Sequence, residues 1–358
     1  GSADIMETIA LLAPTGRAAK KMNSSTGIPA YTIHRYLKWY KDSNEFVYNE
    51  FNKTHHKLII VDEVSMIDVD LFNALLNGIN SNIKLILVGD TFQLPSVGPG
   101  LVLNELIESD YFNYIPLNQI YRQSDNSYIP FLAKEIKNND LSEEFLTKKD
   151  DYNFVNVDSS NIKKAIMQIT NYSLSKGLDE RNVQVLAPMY KGDAGIDALN
   201  VILQNIYNPS KRNKEEVIYG DFIYREDDKV LQLVNDLDNN VFNGDIGFIE
   251  RITGNKIIID FDGNKVEYEK KDLKNIKHAY AISIHKSQGS EFMHVIMPIS
   301  TSYYKMLYNK LIYTGVSRAK KSLTLVGDPT AFQRAVNNNY SSSRKTSLKE
   351  QISIVYNK

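Results

Sequence analysis

The stretch IIVDEVSMID, residues 59–68, runs from three β-branched apolar residues directly into two adjacent carboxylates, Asp62 and Glu63. Similar short apolar runs, bounded by Gly, Pro or Asp, occur along the chain: IALLAPTG (9–16), IKLILVGD (83–90), VQVLAP (183–188), HVIMPI (294–299) and SLTLVGD (322–328). Continuous runs of this kind are typical of strands buried on both faces of a parallel sheet. Helical spacing between several of them, as in VDLFNALLNGI (69–79), predicts an α/β fold.

The composition limits the classes of protein to consider. A length of 358 residues predicts two domains and room for a small third. The net charge of -1 gives no overall bias toward nucleic acid, although a local basic channel is compatible with it. The absence of cysteine excludes disulfides and thiolate metal sites and suits a reducing compartment, so we expect a cytoplasmic protein. No apolar run approaches the roughly 18 residues that span a bilayer, so we expect no membrane segment.

The residue pattern changes between about 220 and 277. Short strand-like runs joined by TGN and DGN turns replace the alternation of strands and helices, which predicts a small β-barrel inserted into the second α/β half. We therefore expect a first domain over 1–150 with a small insertion at about 36–55. The second domain is expected over 151–219 and 278–345, with the barrel over 220–277. The polar end of the chain, which begins NNNYSSSRK at residue 337, is expected to fray.

Polar residues follow three of the predicted strands. Because ligands of open parallel sheets collect at the carboxyl ends of the strands, the acidic pair, the GDTFQ segment (89–93) and the PTGR turn (14–17) are expected at one edge. Adjacent carboxylates suit nucleotide hydrolysis, since one can hold Mg²⁺ while the next accepts a proton from water. Gln93 could orient that water or contact the terminal phosphate. Acidic strand ends and turn glutamines are also common as solvated surface residues, so these positions alone do not decide the function.

Two arginines stand in distinctive contexts, Arg122 in LNQIYRQ (117–123) and Arg318 in YTGVSRAK (313–320). The fixed, always charged guanidinium suits the charge that develops on a transferred phosphoryl group. Either arginine alone is more often part of a surface salt bridge. Together with the acidic pair, the two arginines form a set of residues suited to phosphoryl transfer.

Nine blocks occur in a defined order: APTGRAAKKM, TIHRYL, IIVDEVSMID, LVGDTFQLPSVGPG, LNQIYRQ, VLAPMYKGDAGIDALN, VFNGDIGFI, AISIHKSQGSEF and YTGVSRAK. This series, over about residues 9–330, resembles the RecD-like branch of the superfamily 1 DNA helicases. The resemblance implies two RecA-like parallel-sheet domains with ATP between them, single-stranded DNA across both, and a small SH3-like β-barrel in the second. It also implies a DNA repair or recombination motor that travels 5′ to 3′, although these residues do not themselves indicate polarity.

The resemblance assigns roles to individual residues. Asp62 would hold Mg²⁺, Glu63 would be the base for the attacking water, and Gln93 would contact the γ-phosphate. Arg122 and Arg318 would reach into the nucleotide cleft. The remaining nucleotide-site residues would be Gln288, Gly289 and Glu291, which would couple the cleft to DNA. The DNA-binding residues would be Thr15, Gly16, Arg17, His34, Asn243, Ser283 and His285.

Several of the DNA assignments have structural alternatives. The turn at 15–17 could offer amides and a cation to phosphates, or could be an ordinary strand-to-helix turn. The aromatic residues around His34 could stack on bases, but their spacing of three and four favours helix packing for most of them. These residues are Tyr31, Tyr36, Trp39 and Tyr40. Asn243 and Asp245 are expected to form a structural turn at the edge of the barrel.

The sequence departs from the family in one respect, because it contains no phosphate loop of the form G-x-x-x-x-G-K-[ST]. In the family this loop lies one helix upstream of the APTGRA block. We therefore expect these 358 residues to start just after it and to lack useful ATP hydrolysis and unwinding. The alternatives are a degenerate relative that acts as a DNA-binding scaffold, and a metal-dependent nuclease that uses Asp62, Glu63 and Asp90. Other repair proteins are possible partners, and a monomer is favoured.

Overall fold

The computed structural model describes residues 7–40, 43, 45–117, 126–303, 305–339 and 344–357. The chain forms two compact units. The first comprises Gly1–Ile120 together with Ser341–Lys358, and the second comprises Tyr121–Tyr340.

The first unit is built on a four-stranded sheet in the order β2-β1-β5-β6, in which all neighbours are parallel. Its strands are β1 (Ile9–Ala13), β2 (Ala30–Thr32), β3 (Trp39–Tyr40), β4 (Glu45–Phe46), β5 (Leu58–Val61) and β6 (Lys84–Leu87), and β3 and β4 form a separate antiparallel pair. Its helices up to residue 117 are α1 (Gly16–Thr26), α2 (Ile33–Tyr36), α3 (Val69–Gly78) and α4 (Val102–Glu108). The fully buried side chains of its core include Leu12, Ile33, Ile59, Val61 and Leu75. The prediction of a parallel α/β unit is thus confirmed.

The second unit contains a five-stranded parallel sheet and an antiparallel part. Its strands before residue 240 are β7 (Tyr152–Asn156), β8 (Val183–Ala187), β9 (Glu216–Tyr219), β10 (Phe222–Arg225) and β11 (Lys229–Gln232). The later strands are β12 (Ile246–Thr253), β13 (Lys256–Phe261), β14 (Asn264–Glu269), β15 (Ile276–His278), β16 (Ala281–Ser283), β17 (Phe292–Ile299) and β18 (Ala319–Gly327). The parallel sheet has the order β16-β8-β17-β18-β7. Its helices are α5 (Tyr128–Asn138), α6 (Ile162–Ser175), α7 (Ile196–Tyr207), α8 (Asn309–Val316) and α9 (Pro329–Asn337).

The antiparallel part lies between α7 and β16 in the chain. A five-stranded sheet has the order β14-β13-β12-β11-β15, and β9 and β10 form a hairpin beside it. The DGN turn joins β13 to β14 with Asp262 at φ 53° and Gly263 at φ 89°, which is the backbone geometry that two-residue hairpin turns require. The predicted run of short strands is therefore present.

The end of the chain differs from the expectation that it frays. Leu348–Tyr356 forms a helix, α10, that packs on α4 of the first unit. The Tyr356 ring stacks on Tyr111 with centroids 4.7 Å apart, and Lys349 N donates to Glu105 Oε1 at 3.3 Å. These long-range contacts stabilise a segment whose polar composition suggested disorder.

A buried carboxylate joins the antiparallel part to the parallel-sheet body of the second unit. Asp228 is fully buried and lies directly before β11. Its oxygens accept from Gln204 Nε2 (2.7 Å), Asn208 Nδ2 (2.8 Å), Arg225 N (2.7 Å) and Tyr280 Oη (2.9 Å), and His278 Nε2 lies 3.2 Å away. These groups come from α7 and its end, from the β10–β11 turn and from β15–β16. One side chain therefore holds three segments of the chain together.

We expect Asp228→Asn to destabilise the protein by about 2–4 kcal/mol, because it places an N–H donor among groups that are themselves donors. Urea unfolding measures this change in the free energy of unfolding. Asp238→Asn is the matched control at an exposed position of the same unit, where a change within about 0.5 kcal/mol is expected. Equal effects of the two substitutions would contradict the assignment.

Candidate nucleotide and DNA sites

The acidic pair lies where β5 leaves the sheet. Asp62 N still donates to Leu12 O of β1 at 2.9 Å, and the chain then turns at Glu63, whose φ of 54° and ψ of 40° are left-handed. Asp62 Oδ1 accepts from Glu63 N at 2.8 Å, and a short 3₁₀ turn, Val64–Met66, follows. Both carboxyl groups are half-buried at the carboxyl edge of the sheet.

The end of β6 runs against the same turn. Val64 N donates to Val88 O at 3.0 Å. A Cβ on Gly89 would lie 3.2 Å from the backbone nitrogens of both Val64 and Ser65, so a side chain at 89 would push the two strand ends apart. The structure therefore brings the acidic pair and the GDTFQ segment together, as the carboxyl-end rule predicts.

Gln93 carries a buried polar atom of unusual surroundings. The residue is 9% exposed, and among the described residues its Oε1 has no hydrogen-bond partner. Asp90 organises the turn before it, since Asp90 Oδ1 accepts from Phe92 N at 2.9 Å and Asp90 O accepts from Gln93 N at 3.3 Å. Buried polar atoms normally have partners, so this oxygen is suited to a ligand or an ordered water.

The turn after β1 forms the start of a helix. Thr15 is the N-cap of α1, with its Oγ1 accepting from Ala18 N at 3.2 Å. Gly16 is buried and Arg17 is half-buried. The geometry is that of a capped strand-to-helix turn, and the predicted phosphate contacts of these three residues stay a prediction.

His34 belongs to a small aromatic cluster next to the β3–β4 pair. Its ring centroid lies 6.2 Å from that of Trp39 and 5.7 Å from that of Phe46, and the latter two rings are 4.6 Å apart. Tyr36 contacts His56 instead, with its hydroxyl 3.0 Å from His56 Nδ1. Partial removal from water lowers the pKa of His34 below the ordinary histidine value. Packing against neighbouring rings therefore accounts for His34, Tyr36 and Trp39, whereas Tyr31 and Tyr40 are exposed. Base stacking by His34 remains a prediction.

In the second unit, Arg318 lies beside the IHKSQGSE segment. Its guanidinium group is buried, and it donates to Ser290 O (2.9 Å), Thr314 O (3.1 Å) and Ser317 Oγ (3.2 Å). Gly289 has a φ of 75°, and Glu291 is 3.2 Å from the ammonium group of Lys320. Gln288 is half-buried in the same turn. The structure thus groups the predicted nucleotide residues of this unit around one turn.

The predicted DNA residues of the second unit contact a neighbour, Lys286, that the sequence analysis did not single out. Ser283 Oγ accepts from Lys286 N at 3.1 Å, and Lys286 Nζ donates to Asn243 Oδ1 at 2.6 Å. Partial removal of its ring from water lowers the pKa of His285 below the ordinary histidine value. Lys286 adds a cation to this group through its bond to Asn243, and its presence inside the IHKSQG block was the available signal.

Arg122 and most of the LNQIYRQ block lie outside the described residues. The predicted role of Arg122 in the cleft therefore rests on the sequence alone.

The fit of Mg²⁺ to the acidic pair depends on how many protein ligands the ion needs. The described residues hold no cluster of three or more His, Cys, Asp or Glu side chains that could bind a metal ion. Mg²⁺ at nucleotide sites usually takes only one or two carboxylates and completes its shell with phosphates and water. Asp62 at the strand end fits that requirement.

Comparison with family models supports the order of the blocks. The model of an AAA domain matches residues 2–159, that of the ATP-dependent RecD-like DNA helicase SH3 domain matches 199–261, and that of the UvrD-like helicase C-terminal domain matches 278–326. The ATP-dependent RecD2 DNA helicase of Deinococcus radiodurans is 33% identical over 354 residues, covering 98% of this chain and 47% of that protein.

The matched models and relatives support a RecD-like superfamily 1 helicase. Another relative, the RecBCD enzyme subunit RecD of Buchnera aphidicola, is 28% identical over 399 residues, which cover 92% of this RecD-like chain and 66% of the relative. The chain spans about half the length of the Deinococcus protein.

Solved structures agree at the level of the fold. The Pif1 helicase of Candida albicans superposes with a TM-score of 0.52 at 17% identity, covering 99% of the RecD-like chain and 90% of that protein. A Pif1 structure of DNA unwinding at forked double-stranded DNA gives 0.54 at 17% identity, covering 98% and 87%. The predicted fold class is confirmed, with two parallel sheets and a matched SH3 domain. In the described part of the chain, no helix has the length and apolar character needed to cross a membrane.

The left-handed turn at Glu63 has a measurable consequence. Glu63→Gly should be more stable than Glu63→Ala by about 1 kcal/mol, because glycine adopts this φ without the steric penalty of a Cβ. Urea unfolding of both variants gives the difference.

Met66, in the 3₁₀ turn at negative φ, is the control. There the order should reverse, and Met66→Gly should be less stable than Met66→Ala by about 0.5–1 kcal/mol. Glu63→Ala being as stable as Glu63→Gly would contradict the described backbone.

Proposed function

We propose that this chain is the motor part of an ATP-dependent DNA helicase that moves along single-stranded DNA. The observation that carries the proposal is the carboxyl edge of the first sheet. There the turn of Asp62 and Glu63 lies against the end of β6, and the buried Gln93 Oε1 has no hydrogen-bond partner within the described part of the chain. A carboxylate pair and a neutral amide suit phosphoanhydride hydrolysis, which needs a base and a group that orients water. Translocation from 5′ to 3′, a monomeric state and a role in repair or recombination follow from the resemblance as further proposals.

Each site residue then has a role. Asp62 would hold Mg²⁺, which when bound neutralises charge on the phosphates. Glu63 would accept a proton from the attacking water, and Gln93 would orient that water or contact the γ-phosphate. Arg318 would stabilise developing charge by exchanging one of its present carbonyl partners for a phosphate oxygen, with Arg122 as the second cation.

The remaining assignments concern the turn at 288–291 and the DNA track. Gln288, Gly289 and Glu291 would link the nucleotide to the DNA-binding segment. The amides at Thr15 and Gly16 and the cation of Arg17 would contact phosphates, and His34, Asn243, Ser283 and His285 would lie along the same strand. Lys286 adds a cation beside Asn243.

The domain limits stated from the sequence, and the expected inactivity of these 358 residues, stay predictions. The activity of the whole protein is proposed from relatives of which the chain covers only part. A cytoplasmic location rests on the absence of cysteine. Partners among other recombination proteins are suggested by the name of the RecD relative as a RecBCD subunit.

The full-length natural protein should hydrolyse ATP in the presence of single-stranded DNA. Glu63→Gln should lower that turnover by at least about 100-fold, since it removes a general base, while DNA binding persists. The nuclease alternative would be favoured if the natural protein cleaved DNA, Glu63→Gln abolished that cleavage, and the substitution left ATP turnover unchanged or the natural protein had none. DNA binding without any ATP turnover in the natural protein would favour the scaffold.

Lys286→Ala should weaken binding of single-stranded DNA by these 358 residues and reduce the slope of log affinity against log salt by about 1, because one phosphate contact is lost. Fluorescence anisotropy at several salt concentrations measures both. Lys256→Ala is the control, since Lys256 is an exposed cation of the same unit that pairs with Glu267 at 3.0 Å. An unchanged slope in Lys286→Ala would exclude Lys286 from the DNA track.

A further inference from the structure

Arg344 makes a dense set of contacts with the loop that follows Gln93. Its Nη1 donates to Gly98 O at 2.5 Å, to Gly100 O at 3.0 Å and to Ser96 Oγ at 3.2 Å. Its Nη2 donates to Ser96 O. One half-buried guanidinium group therefore gathers three backbone carbonyls of residues 96–100.

The same loop is held on its other side by the segment that follows the acidic pair. Val69 N, in the first turn of α3, donates to Pro99 O at 2.9 Å. A Cβ on Gly98 would lie 2.1 Å from Asp68 Oδ2, so the loop backbone approaches the N-cap of α3 closely. The loop is thus enclosed between the start of α3 and Arg344.

Arg344 is itself fixed by the helix that follows it. Lys349 N donates to Glu105 Oε1 of α4, and the Tyr356 ring stacks on Tyr111. Since α4 begins directly after the loop, at Val102, α10 anchors Arg344 to the element that the loop leads into. The arginine is therefore attached to a packed helix pair rather than to a free tail.

Gln93 stands three residues before Ser96, and Leu94 between them is 1% exposed. The position of the Gln93 amide thus depends on a buried anchor at 94 and on the loop that Arg344 holds. The Gln93 oxygen has no partner among the described residues, so no hydrogen bond of its own to a described residue fixes that atom.

We propose that Arg344 is a positioning residue, which holds residues 96–100 so that the Gln93 amide is preorganised for the terminal phosphate of ATP. The phosphate part of this proposal rests on the proposed function, whereas the fixing of the loop does not. A guanidinium group presents several N–H donors in a rigid fork, so lysine replaces only part of the set.

The first measurement is hydrogen exchange in Arg344→Ala, Arg344→Lys and Lys345→Ala of this chain. It follows two amides that depend on the loop, those of Gln93, which donates to Asp90 O, and Val69, which donates to Pro99 O. We expect both amides to exchange about tenfold faster in Arg344→Ala, because the loop can then open without breaking the bonds from Arg344 to its oxygens. Arg344→Lys should have a smaller effect. Lys345 is an exposed cation next in the chain, so Lys345→Ala should exchange like the wild type. Unchanged exchange in Arg344→Ala overturns the proposal.

The second measurement compares ATP turnover and ADP binding in the full-length natural protein with the same substitutions. Arg344→Ala should lower kcat by about tenfold with ADP affinity unchanged, because a misplaced Gln93 affects only the terminal phosphate. Arg344→Lys should recover part of kcat. Equal loss of ADP affinity and turnover would indicate general destabilisation of the unit and overturns the positioning role, as does unchanged kcat.

The two arms separate the proposals. If the wild-type natural protein shows no ATP turnover, the proposed function fails and the phosphate role of Arg344 falls with it, while faster exchange in Arg344→Ala still shows that this residue fixes the loop.

Discussion

The geometry of the first unit depends on how β5 ends. Glu63 has a φ of 54°, a left-handed conformation that costs any residue with a Cβ about 1 kcal/mol. This turn nevertheless lets the chain leave the sheet while Asp62 N still donates to Leu12 O of β1. The same turn accepts the close approach of Gly89 from β6. Two strand ends can therefore meet without an intervening side chain, and the polar residues that follow them share one edge. Strained backbone of this kind is a common property of functional sites.

Much of this edge was predictable, because the rule that polar ligands gather at the carboxyl ends of parallel strands needs only the order of apolar runs and the residues that follow them. Asp62, Glu63 and Gln93 satisfy that rule. The left-handed turn was not predictable, since glutamate has no preference for such a backbone. Arg344 was missed for a different reason. Three of its four bonds go to backbone carbonyl groups more than 240 positions away in the chain, and carbonyls leave no trace in a residue pattern.

The second unit shows the same limit. The DGN turn and the alternation of the short strands predicted the antiparallel part correctly. Asp228 reads locally as one more acid in the run REDDKV, whereas in the fold it is buried among donors from three segments. A local pattern indicates that a residue is polar, but only the tertiary structure shows whether it meets water or other polar groups. Lys286 was likewise visible in its block, but its bond to Asn243 was not.

The placement of Asp228 affects how the antiparallel part can move. A peripheral module joined to its host only by two chain crossings could pivot about them, whereas this one shares a buried polar junction with α7 and β16. Displacing it would expose the carboxylate and break several bonds at once. A load applied at the Asn243 turn would therefore have to break this junction before the antiparallel part could pivot.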